Sequence, residues 1–279
     1  MLSFLRRDPK KQLAKILGDY ELPRFPTVAH NVLELIRKSD TSAADVGRTL
    51  AQDPALSLAV LKTVNSAAYG VPKKVESVAQ AAGLLGLASI ESIVLSVAVA
   101  KSVPSAAAPG YDPDRFWLVA SWRGITARAL ARELRSSRAD QAYTCGLLQD
   151  MAIPILSHGV GEGYGAVLTT WQEGDADLAS LERDVFGWDH AEVASWLCAD
   201  WALPESISGY IAGHHGTEID GIEVPPEVSL VCLLRRPDDD AGVEHLAARA
   251  EREHGMDGGR VRDLVRECAD AACEIAGTF

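Results

Sequence analysis
At 279 residues the chain is long for one hydrophobic core and short for three, so its length favours one large helical unit or two fused ones. Its 27 basic and 39 acidic residues give a net charge of -12, which disfavours broad binding to nucleic-acid phosphates. The charge is uneven: residues 1–110 carry 13 basic and 9 acidic groups (+4), residues 111–279 carry 14 and 30 (-16), and no lysine lies beyond Lys101.

In chain order, Met1 to Lys11 holds Arg6 and Arg7 but no apolar run long enough for a signal peptide. Residues 10–19 read as a short basic amphipathic helix ending near Gly18, and Leu22-Pro23-Arg24-Phe25-Pro26 as an extended linker, because each proline restricts the residue before it. Thr27 is placed to cap a helix whose apolar stripe is Val28, Val32, Leu35 and Ile36. Ser42 with Asp45 resembles a capping box opening a helix to about Gln52, and Pro54 opens another that runs to Asn65. Asn65 to Gly70 is a polar helix end with a left-handed turn available at Gly70; Asn65 there is either architecture or a pocket residue. Val78 to Leu85 and Ala88 to Val103 are two apolar helices joined at Gly86, the second apolar nearly all round and so expected to be central. Ser102 to Pro113, rich in Pro, Ala, Ser and Gly, is the best boundary between two parts.

Beyond it, Phe116 to Leu134 reads as one long helix. Helices over Ala139 to Asp150, Met151 to Leu156 (interrupted by Pro154), Gly159 to Gly174, Leu178 to Phe186, His190 to Trp201 and Glu205 to Ala212 follow. Pro225 and Pro226 introduce an apolar helix around Val228 to Leu234, and two amphipathic helices close the chain near Ala276. No strand alternation, hairpin dipeptide between alternating runs or Gly-rich phosphate loop stands out, so the predicted fold is an all-α multi-helix bundle. No segment has the uninterrupted apolar length of a membrane span, and the five cysteines form no CxxC pair, so a reduced, cytoplasmic, membrane-free protein is expected.

The chemistry concentrates in Gly146-Leu147-Leu148-Gln149-Asp150-Met151, with Asp189-His190 and His214-His215 further on. A first-row metal held between helices wants imidazole nitrogens and carboxylate oxygens, and a His-Asp dipeptide supplies both. Here Gln149 precedes Asp150, and a neutral carboxamide does not replace an imidazole. Asp189 also reads simply as an N-cap. Adjacent imidazoles at His214-His215 fit a ligand pair or a helix C-terminus that favours cations. The helix pair at 42–52 and 55–65 superficially resembles a helix-turn-helix, but its apolar faces look committed to a core, and no nucleic acid is expected.

Two blocks of motifs resemble the HDOD domain. The front block is Leu22-Pro-x-x-Pro26, Ala51-Gln-Asp-Pro54, Asn65-Ser66-Ala67-x-Tyr69-Gly70 and Leu84-Leu85-Gly86. The back block is Phe116-Trp117, Gly146-Leu147-Leu148-x-Asp150, Asp189-His190-Ala191-Glu192, Trp201-x-Leu203-Pro204 and His214-His215. The resemblance implies an HD-domain-like helical bundle, degenerate with respect to the HD metal-dependent phosphohydrolases, that serves as a regulatory output module in bacterial signalling. It divides the chain into a lead helix (1–19), a front half (20–104), a degenerate HD-like half (111–235) and a helical tail (236–279).

Against the catalytic parent, three ligand places carry unsuited groups: Val119 two residues after Trp117, Gln149 before Asp150, and apolar residues over Val231 to Leu234. The expectation is a pseudo-enzyme with no catalytic residue, no metal and no cofactor, acting on other signalling proteins. Gln149, Asp150, His190, His214, His215 and Asn65 would form a vestigial pocket, the parent fold bringing the Asp and His positions together. Alternatives left open are a residual phosphohydrolase or phosphodiesterase, a nucleotide or small-molecule ligand, and a homodimer.

Overall fold
The computed structural model describes residues 8–174, 176–216, 218–236 and 238–279, so Arg6 and Arg7 lie outside the described residues. The front half is α1 (Pro9–Leu17), α2 (Thr27–Ile36), α3 (Ala43–Leu50), α4 (Pro54–Val64), α5 (Val78–Leu85) and α6 (Leu87–Ser102). The helix starts follow from the local sequence. Asp8, Asp53 and Ser77 accept hydrogen bonds from first-turn amides, Pro9 and Pro54 open their helices, and Ser42 with Asp45 forms the capping box. Thr27 departs from expectation: it is the first helical residue, and Pro26 stands in the cap place with no side-chain bond.

The back half is built on α7 (Pro113–Glu133), against which α8 (Ala139–Leu148), α14 (Pro226–Val231) and α16 (Gly258–Ala276) pack. Between them come α9 (Ala152–Gly159), α10 (Glu162–Glu173), α11 (Leu178–Phe186), α12 (His190–Asp200) and α13 (Glu205–Ala212), with α15 (Asp240–His254) before α16. Pro154 lies in the first turn of α9, where a missing amide hydrogen costs no internal bond. Two-residue strands β1 (Glu218–Ile219) and β2 (Ile222–Glu223) pair antiparallel around Asp220-Gly221, both with positive φ. Asp220-Gly221 is a hairpin dipeptide, but strands of two residues carry no alternation to mark it in the sequence.

The most extensive helix contact is α7 against α8. A Cβ on Gly146 would lie 2.8 Å from the Arg123 carbonyl oxygen, and one on Gly124 would lie 3.0 Å from that of Tyr143. Both glycines let the backbones approach, which sets the end of α8, and hence Asp150, beside α7. The two halves are joined by α6 lying on α8: Ser89 donates to Asp140 Oδ2 at 2.8 Å and Ser92 to the Asp140 carbonyl at 2.7 Å. The Arg128 guanidinium stacks over the Tyr69 ring at 4.2 Å. Trp201 Nε1 donates to the Pro23 carbonyl at 3.1 Å, tying the proline linker to the end of α12, and Trp122 Nε1 donates to Val265 at 2.8 Å, docking α16 on α7. Among the described residues no helix is long and apolar enough to cross a membrane.

Candidate functional site
Asp150 sits in the turn between α8 and α9, His190 is the first residue of α12, and His214 and His215 follow α13. Asp189 is the N-cap of α12, accepting from the Glu192 amide at 2.8 Å and pairing with Arg183. That cap fixes the start of α12 and aims His190 inward. The structure thus brings Asp150, His190, His214 and His215 together: Asp150 Oδ1 is 3.4 Å from Nε2 of both His190 and His214, and His190 Nε2 is 3.0 Å from His215 Nε2. Asp150, His190 and His214 are buried; His215 is half-buried.

Two residues not singled out from the sequence complete the centre. Glu182, fully buried in α11, accepts from the His190 backbone amide at 2.8 Å and contacts His190 Nδ1 at 2.6 Å, while its other oxygen accepts from Tyr164 at 2.5 Å. Arg123, buried in α7, pairs with Asp150 Oδ2 and donates through Nε to the Leu234 carbonyl at 2.7 Å. Each carried a weak signal. Glu182 falls on the buried Leu178-Ala179 stripe of α11, and Arg123 is a charge in a run of buried small and apolar residues one helical turn after Val119.

The hydrogen bonds fix the tautomers. His214 Nδ1 lies 2.6 Å from the Ile211 carbonyl, which only accepts, so Nδ1 carries the hydrogen and Nε2 faces Asp150. Glu182 likewise takes Nδ1 of His190 and leaves its Nε2 facing inward. The lone pair on His214 Nε2 and the Asp150 oxygen repel, and a cation among the imidazoles relieves that repulsion. A proton on His190 is one answer. Burial alone lowers its pKa, but the Glu182 charge and the bonds to Asp150 and Glu182 outweigh burial and hold it well above the ordinary imidazole value. Asp150 is held well below the carboxylate range: burial works against this, and the Arg123 charge with the protonated His190 outweighs it. His215 is pushed far down, by burial and by the neighbouring His214 and His190.

A single borderline metal ion is the other answer. Ligand atoms of His190, His214 and His215 lie within 4.8 Å of one another, and Glu182 behind His190 is the carboxylate that commonly orients a ligating imidazole. The three imidazoles fit one ion, and Asp150 Oδ1 lies 3.4 Å from the Nε2 atoms of two of them. Asp150 Oδ2 is taken by Arg123, Val119 offers no donor, and Leu234 offers a carbonyl that already accepts from Arg123.

Gln149 is buried, and its amide oxygen and nitrogen make no hydrogen bond to protein. Asn65 does not join the cluster. It donates to the Leu61 and Val75 carbonyls at 2.8 and 2.9 Å and accepts from the Val75 amide at 2.7 Å, which pins the loop after Gly70 to the end of α4. A cavity of about 390 Å³ opens on the Asp150–Arg123 pair, walled by α7, α10 and the Ala108–Tyr111 turn.

The family model of the HDOD domain matches residues 22–217. A Treponema pallidum (strain Nichols) protein of uncharacterized role is 26% identical over 220 residues, which is 76% of this chain and 41% of that protein; the chain therefore spans about two-fifths of this curated relative. A Geobacter sulfurreducens HDOD domain protein of unknown function superposes with a TM-score of 0.73 at 21% identity over 97% of each chain. A Shewanella amazonensis SB2B protein whose name proposes a phosphohydrolase superposes with a TM-score of 0.75 at 20% identity, over 99% of this chain and 98% of its own. A Marinobacter aquaeolei VT8 protein whose name proposes signal transduction gives 0.73 at 20% identity, over 97% of this chain and 65% of its own. At these identities the structures speak for the fold alone, and the family match over most of the length decides membership: the chain belongs to the HDOD domain family.

Proposed function
We propose that this chain is a non-catalytic regulatory module that acts by contact with other signalling proteins. One observation carries the reading: the Arg123 guanidinium spans from Asp150 Oδ2 to the Leu234 carbonyl, so a fixed side-chain cation stands between the surviving carboxylate and the place where the parent site would supply a further ligand. A metal that acidifies water and clamps phosphate needs open coordination positions. Arg123 closes this side of Asp150, and with Val119 and Gln149 in ligand places the reaction loses its footing. The signalling role named for the Marinobacter relative belongs to the same class of function. Affinity capture with the purified chain as bait tests the reading. It predicts a regulatory protein retained in a salt-resistant complex; no partner, together with no regulatory phenotype on deletion, would count against it.

The four-donor set of Asp150, His190, His214 and His215 supports a second reading, a residual metal-dependent phosphohydrolase. These residues would hold one ion, and the ion would supply Lewis-acid polarisation of a phosphoryl oxygen. Phosphoester turnover that depends on added Mn, Fe, Mg or Zn and disappears in His214→Ala would favour it over the first.

A further inference from the structure
The cavity over Asp150 adjoins a second of about 230 Å³, and the two share Arg115, Trp171, Gln172 and Arg235 as their common wall. Their linings differ in character. The inner one sets the apolar walls of Phe116, Val119, Ile153 and Leu168 beside the Arg123–Asp150 pair. The outer one gathers Arg235, Arg236 and His245 with Arg115 in a half of the chain whose net charge is -16.

The carboxylates nearby keep their charge but are turned to partners other than these guanidinium groups. Asp112 is spent capping α7, where it accepts from the Asp114 and Arg115 amides at 3.0 and 3.2 Å. Asp239 caps α15 and accepts from the Gly242 and Arg235 amides at 2.9 and 2.7 Å, and Asp150 is paired with Arg123. Among the described residues the guanidiniums of Arg115, Arg235 and Arg236 form no ion pair; Arg235 reaches only the Ala176 carbonyl, at 3.5 Å. Clustered arginines repel one another, and a forked donor set of this kind matches phosphate. Trp171, half-buried where the two cavities meet, offers a flat face for a ring.

We propose that this double cavity binds a phosphate ester of a planar heterocycle, the chemistry of a nucleotide. Its ring lies in the inner compartment between Trp171 and the apolar side chains of Phe116 and Leu168, and its phosphate is held by Arg115, Arg235 and Arg236 in the outer one. That orientation keeps the phosphate away from the Asp150 carboxylate. The combined space suits a small ligand of this size. The site adds an input to the regulatory reading and stands whether or not a partner protein is found.

Isothermal titration of the full chain with AMP, GMP, UMP, adenosine and inorganic phosphate tests it. The expected result is saturable 1:1 binding of at least one nucleotide, with adenosine and phosphate at least tenfold weaker. Arg235→Ala and Arg115→Ala should each weaken that nucleotide tenfold or more with an unchanged circular dichroism spectrum, and Trp171→Leu should weaken the nucleotide but not inorganic phosphate. No binding of any of the three nucleotides at millimolar concentration overturns the proposal, as does binding indifferent to both arginine variants or phosphate binding as tightly as the nucleotide. Chromatography of the recovered nucleotide separates the two readings: hydrolysed nucleotide would overturn both the non-catalytic assignment and the orientation that keeps the phosphate from Asp150, whereas absent binding would overturn the site alone.

Discussion
Arg123 is the residue on which the account turns. Removing one partner of a buried ion pair leaves the other charge desolvated and uncompensated, which costs about 3–5 kcal/mol. Arg123→Met should therefore destabilise the fold by that amount in urea denaturation, and adding Asp150→Asn should recover most of the loss; no recovery would show that Arg123 acts by packing alone. The pH dependence has two arms. The His190 pKa is raised in the folded chain, so its contribution is full below the unfolded value of about 6.5 and is lost as pH rises toward the native value. The Asp150 pKa is depressed, so its contribution is full above about 3.9 and is lost as pH falls toward the native value. The centre should favour folding most between about pH 4 and 6.5, and His190→Asn should flatten the alkaline decline in the urea midpoint. A decline of unchanged slope in that variant would assign it to other groups.

Among the helices, the approach of α7 and α8 positions the chemistry. Gly146→Ala puts a methyl against the Arg123 carbonyl at 2.8 Å and Ala127 Cβ at 3.0 Å, so the helices must part, at a cost of about 1–3 kcal/mol. Thermal unfolding would register the loss, and an unchanged midpoint would mean that α8 is not held by this contact. Asn65→Ala should cost about 1–3 kcal/mol by leaving the Val75 amide and carbonyl unpaired, with no effect on ligand binding at the Trp171 cavity. Much at this scale was legible in advance, because caps and first-turn prolines are local: Ser42 with Asp45, Pro54 and Asp189 all act within three or four residues of themselves. Asp150 and the three histidines were found through motif spacing. Arg123 and Glu182 were not, since their partners lie 27 and 8 residues away and only packing reveals them. Asn65 spends its side chain on three backbone bonds within the front half, a local arrangement that motif spacing does not distinguish from a pocket position.

The whole molecule couples a positively charged front half to an acidic back half through the α6–α8 contact, with the tail helix α16 docked on α7 by Trp122. The centre and the double cavity share α7, which also carries Arg128 onto Tyr69 of the front half. A ligand or partner that moves α7 would thus be felt on both sides of the chain. Under the proposed function the centre, with Arg123 built into it, performs no hydrolysis. The most direct test of this is turnover of bis(p-nitrophenyl) phosphate and of nucleotides by untagged protein of measured metal content, with Mn, Fe, Mg or Zn supplied in turn. No turnover above that of the Asp150→Ala variant, whatever the metal content, is the predicted result; metal-dependent hydrolysis abolished by Asp150→Ala and His214→Ala would contradict it.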